Sequence, residues 1–109
     1  MDDIEESWTD KQMNDYVPDR WVILEIDVSN SSSRKILSGW YGGYTQGDSW
    51  RLSSGIVDVK EYKSYYEVIN HSGSIYTLYK NKEGMSSYMQ DIYNSWTKQD
   101  EIKLKIVSL

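Results

Sequence analysis

Between residues 20 and 80 the apolar side chains recur with a period of two, in short runs separated by polar turns. That pattern confines the chain to antiparallel sheet, because a crossover to a parallel strand needs about a dozen residues or more. Val22, Leu24, Ile26 and Val28 share one face of a strand over residues 20–28, with Glu25 and Asp27 on the other. Trp21 and Ile23 fall on the acidic side, so the first half of this strand is expected to be covered on both faces. The run Ser29-Asn30-Ser31-Ser32-Ser33 predicts a hairpin into residues 34–41. Pairing should resume over residues 50–52 and continue over 56–61, 64–69 and 74–80, with separators short enough for hairpin loops.

The period changes after Gly84. Met85, Tyr88, Met89, Ile92, Tyr93 and Trp96 lie three or four apart and form a helical stripe that calls for a sheet to bury it. Ser87 and Gln90 have the spacing of a capping box. A last strand is expected over residues 101–107, with Ile102, Leu104 and Ile106 inward. Lys103 and Lys105 would point outward as an edge guard. The expected class is α+β: an antiparallel meander of about five to six strands, one C-terminal amphipathic helix on one face, then a final strand.

The chain of 109 residues contains no alanine and no phenylalanine, but ten tyrosines and five tryptophans. A core of this composition must keep hydroxyl and indole N–H groups where they find partners. Residues 39–55 hold five of the seven glycines and four of the fifteen aromatics, with Asp48 and Arg51 close together. Trp40, Tyr41, Tyr44, Asp48, Trp50 and Arg51 are the candidate binding residues, since Trp, Tyr and Arg dominate interface hot spots. On a strand Asp48 and Trp50 share a face and Arg51 points the other way. A turn capped by Asp48 and an ordinary aromatic core account for the same residues, so exposure separates the two readings.

Charge is concentrated at the start. Residues 1–20 carry seven acids against two bases, whereas residues 21–109 carry ten of each. The expected organisation is an acidic arm over residues 1–19 followed by one α+β domain over residues 20–109. Within the arm Ile4 and Trp8, and then Met13, Tyr16 and Val17, fall at helical spacing, while Pro18 forces Val17 towards extended geometry. No basic run suits nucleic acid, and no apolar run reaches the length of a membrane span. With no cysteine, disulfides and thiolate metal sites are excluded, and a cytoplasmic setting is expected.

Catalytic templates find little support. His71 is the sole histidine and sits in Asn70-His71-Ser72-Gly73, a turn composition. A hydrolase reading would need it beside Asp48 and Arg51, or beside Ser72 or Ser74 with Asp48 or Asp58 as orienter. The glycines match neither a Walker loop nor a dinucleotide fingerprint, and no metal or cofactor is expected. The leading reading is a non-catalytic module that binds another protein, with the acidic arm steering a basic partner. Carbohydrate or small-ligand binding on exposed, coplanar Trp40, Tyr44 or Trp50 is the alternative, and free sheet edges also allow a homodimer.

Overall fold

The computed structural model describes residues 15–42 and 47–109. In chain order it contains β1 (Asp15–Tyr16), β2 (Arg20–Val28), β3 (Ser31–Trp40), β4 (Ser49–Leu52), β5 (Ile56–Glu61), β6 (Tyr65–Asn70) and β7 (Ile75–Tyr79). A 3-10 turn (Lys80–Lys82), helix α1 (Ser87–Thr97) and β8 (Ile102–Val107) complete it. The chain is α+β, with largely antiparallel strands and one helix on the sheet. The meander divides between two four-stranded sheets, ordered β4-β3-β2-β8 and β1-β7-β6-β5.

The division occurs after β4, and Ser53 makes it possible. Its N–H donates to the Ile36 carbonyl at 2.9 Å, while its Oγ accepts from the Ile36 N–H at 2.8 Å. One serine therefore satisfies both backbone groups of Ile36. The chain can leave the first sheet without orphaning a buried donor.

β2 is the central plane of the molecule. Trp21 and Ile23 point between the sheets, packing with Ile36, Val68, Tyr76 and Leu78. Val22 and Leu24 point to the opposite face, where they join Leu37 and Met89 beneath α1. The expected two-sided burial of this strand is thus observed, and it generates a three-layer arrangement of sheet, sheet and helix. The β2–β3 register runs unbroken from Arg20↔Gly39 to Val28↔Ser31. Its turn is only Ser29-Asn30, with Ser29 at φ 54°, so the strand starts earlier than the serine run suggests.

Three local expectations change. The helix cap is Ser86, whose Oγ accepts from the Met89 N–H at 3.2 Å, rather than Ser87 in a box with Gln90. Ile106 is 46% exposed rather than inward, on a strand at the edge of its sheet. Tyr16 is extended, paired in parallel through Tyr16↔Tyr76, so the helical spacing ending at residues 16 and 17 does not describe it. Ile4, Trp8 and Met13 lie outside the described residues. Tyr16 and the buried Pro18 pack with the body, so the last residues assigned to the arm are part of the sandwich.

Candidate functional site

The two sheets align one edge strand each, β4 and β1, along the same side of the molecule. Arg51 stands opposite Ser38 in the β3–β4 register, and Ser38 in turn stands opposite Trp21, so all three face the second sheet. At the open edge the Arg51 guanidinium lies 4.6 Å from the centre of the Tyr16 ring. Tyr16 stacks on Tyr76 at 4.8 Å with 30° between the planes, and meets Trp40 at 6.2 Å with a tilt of 57°. Arg51 therefore bridges two sheets through an aromatic ring, an arrangement in which a cation is drawn to the ring's negative face.

Local hydrogen bonds hold the neighbouring residues. Trp40 Nε1 donates to the Val17 carbonyl at 3.1 Å, and the Tyr41 N–H donates to Asp19 Oδ2 at 2.9 Å. Arg20 Nε donates to the Tyr41 hydroxyl at 3.3 Å, leaving that ring 54% exposed. Asp48 Oδ1 accepts from the Gly42 N–H at 3.3 Å, which is the turn-capping role its position suggested. A side chain at Gly42 would collide with the Gly47 carbonyl, so the close approach of the chain beyond the ends of β3 and β4 depends on glycine.

Burial pushes the Tyr76 phenol above the usual tyrosine range, against the opposing pull of the Arg51 charge. Desolvation outweighs the cation because Tyr76 is buried, whereas Arg51 remains open to solvent.

The predicted binding residues thus fall into separate groups. Trp40 and Arg51 meet Tyr16 at the edge shared by the two sheets, while Tyr41 is held by Asp19 and Arg20, and Asp48 by Gly42, around the end of β3. Trp50 does not join them. It stands opposite Gly39 on the helix side of the sheet and meets Trp96 edge-on at 5.3 Å and 73°. Trp40 and Trp50 therefore share no plane on which a sugar ring could stack across both. Tyr44 lies outside the described residues.

Tyr16 belongs to the cluster without having been singled out. The available signal was Pro18, which forces an extended residue before it and so favours a short strand there over a helix. A second aromatic row lies on the outer side of the second sheet, where Tyr62 stacks on Tyr65 at 4.7 Å and Tyr65 meets Tyr79 at 5.7 Å. The cross-strand register Tyr65↔Tyr79 makes the second contact, and the turn in which the Tyr62 N–H donates to the Tyr65 carbonyl makes the first.

His71 is exposed, and its N–H donates to the Gly55 carbonyl at 2.7 Å. The nearby hydroxyls bond one another, Ser54 to Ser72 at 3.1 Å and Ser72 to Ser74 at 3.2 Å. Asp58 Oδ1 accepts from the Val59 N–H at 2.9 Å. Among the described residues no hydrogen bond links the imidazole to Asp48, Arg51 or these serines. No group of three or more carboxylate or imidazole side chains is placed to hold a metal there either. A cleft of about 530 Å³ opens between the sheets, lined by Arg34, Ile56, Val59 and Leu109 among others, without Asp48, Arg51 or His71. No described helix is long and apolar enough to cross a membrane.

Fold and edge cluster together define an α+β protein with two packed sheets, one covering helix and an ordered aromatic–guanidinium surface. No protein-family model, curated protein or solved structure matches the chain.

Proposed function

We propose that this chain is a non-catalytic protein-binding module whose contact surface is the edge cluster of Tyr16, Trp40, Tyr41 and Arg51. The observation that carries this reading is the ordering of Arg51 over Tyr16, which Trp40 also meets, with the exposed Tyr41 following Trp40 in the chain. Side chains already held in position lose little rotamer entropy on association, and these residue types supply most of the energy at protein interfaces. Arg20, Asp19 and Asp48 form a polar rim whose own hydrogen bonds are largely made.

The partner carries a basic surface. Residues 1–14 hold five acids and one base, a net charge of −4 on a short stretch, while the body beyond residue 20 is neutral. Such an asymmetry accelerates encounter with a cationic protein and is screened by salt over about 8–10 Å at ordinary ionic strength. A cytoplasmic setting is part of the proposal and accords with folding that needs no disulfide.

Affinity capture from native-host lysate tests the surface. A protein retained by the full chain should be lost with Tyr41→Ala/Arg51→Ala and kept with Tyr62→Ala, which lies on the other sheet. Equal retention by both folded variants would overturn the assignment. With the captured partner purified, removal of residues 1–14 should slow association and flatten its salt dependence. Identical on-rates and salt slopes would remove the steering role.

A further inference from the structure

β8 forms the edge of the first sheet opposite β4. Its one strand neighbour is β2, in the register Ile23↔Val107 to Val28↔Ile102, and no other described strand pairs with its outer side. The helix packs on β3, β4 and β8 but leaves part of the apolar side at β8 open. Val28 is 43% and Ile106 46% exposed, and Ile26, Ile102 and Leu104 line an apolar cleft of about 320 Å³ against Trp96. A six-residue strand with a free edge and a partly open apolar side is a template for strand addition.

We propose that a second copy of this chain adds to β8 in antiparallel fashion, about a two-fold axis at Lys103. In that register the strand is self-complementary except at the axis, where Lys103 of the two copies form the one like-charge pair. Ile102 of each copy stands opposite Leu104 of the other on the helix side, extending the apolar strip across the junction. On the opposite side Glu101 of each copy stands across from Lys105 of the other, giving two opposite-charge pairs.

The two lysines do not block this approach, because each has an acid beside it in its own chain. Lys105 lies 3.9 Å from Glu25, and Lys103 is the register partner of Asp27. Shifting the axis to Leu104 would set Lys103 against Lys105 twice, two like-charge pairs in place of one and without the Glu101–Lys105 pairs, which disfavours that alternative. The product is a continuous sheet with the order β4-β3-β2-β8 followed by its mirror in the second copy, with both helices on one side. Such an isologous contact closes on itself and leaves the β4 edge, with Arg51, free for another partner.

Sedimentation equilibrium of the full chain tests the proposal. The wild type should show the mass of a dimer that dissociates on dilution. Glu101→Lys, at an exposed residue, places two lysines across from each other twice and should weaken the dimer about tenfold. The exchange Glu101→Lys/Lys105→Glu restores opposite charges and should recover the dimer to within about threefold of the wild type. Far-UV circular dichroism establishes that each variant keeps its fold. Amide exchange supplies a second readout, with protection of residues 102–106 rising with protein concentration. A wild-type monomer at about 1 mM would overturn the proposal. So would a dimer indifferent to Glu101→Lys, or a folded double variant that fails to recover.

Discussion

Met89 rests directly on the bare Cα of Gly39. A Cβ placed at residue 39 would overlap the Met89 sulfur and come within 2.8 Å of its Cγ. Met89 is fully buried against Val22, Leu24 and Leu37, so it has little room to yield. A glycine that looked like part of a binding segment is therefore the seat of the helix. Gly39→Ala should lower stability by about 1–3 kcal/mol in urea unfolding, as overpacking does elsewhere. Met89→Ala alone should cost about 2–5 kcal/mol, and the Gly39→Ala penalty should shrink in that background. An unchanged penalty would show that the contact is not the source of the strain.

Trp21 ties the sheets together through a polar contact as well as its ring. Its Nε1 donates to the Tyr79 carbonyl at 2.8 Å, and the ring meets Tyr66 edge-on at 6.0 Å. Trp21→Phe keeps an aromatic ring but loses the donor and some volume. It should cost about 1–3 kcal/mol, read as a lower denaturation midpoint at unchanged m-value.

The start of α1 separates two serines that look equivalent in sequence. Ser86 accepts from the Met89 N–H, so Ser86→Ala should cost about 1 kcal/mol. Ser87 is exposed in the first turn, and Ser87→Ala should change stability by no more than about 0.5 kcal/mol. The reverse ranking in thermal unfolding would place the cap one residue later.

Alkaline stability should report on Tyr76. Burial raises its folded-state pKa above that of the unfolded chain, so the unfolded state gives up the proton first as pH rises. The stabilising contribution is complete below the unfolded tyrosine pKa of about 10 and is lost as pH climbs through the higher folded value. Tyr76→Phe removes this ionisation and should make stability fall less steeply above about pH 10. Equal slopes for the two proteins in urea titrations across that range would contradict the assignment.

The candidate site was partly legible. The alternation of side chains on a strand placed Trp50 and Arg51 on opposite faces, and that division is observed. What each face meets was not legible. Arg51 finds Tyr16 across the sandwich, a contact between residues 35 positions apart, and Trp50 finds Trp96 on the helix, 46 positions away. Ser86 rather than Ser87 caps the helix because the cap depends on backbone angles at one residue, which side-chain periodicity does not resolve.

By itself the sequence determined β2 to β8 and the helix, and the apolar face of β2 and of the helix, because these follow from periods of two and 3.6 read over neighbouring residues. Only the tertiary structure decided that the meander would part into two sheets at Ser53, that Tyr16 would leave the arm for the sandwich, and that, among the described residues, β8 would keep one edge unpaired and part of its apolar side open. Those outcomes depend on which distant surfaces bury one another. Alternation says that a face must be covered; packing between remote segments chooses what covers it.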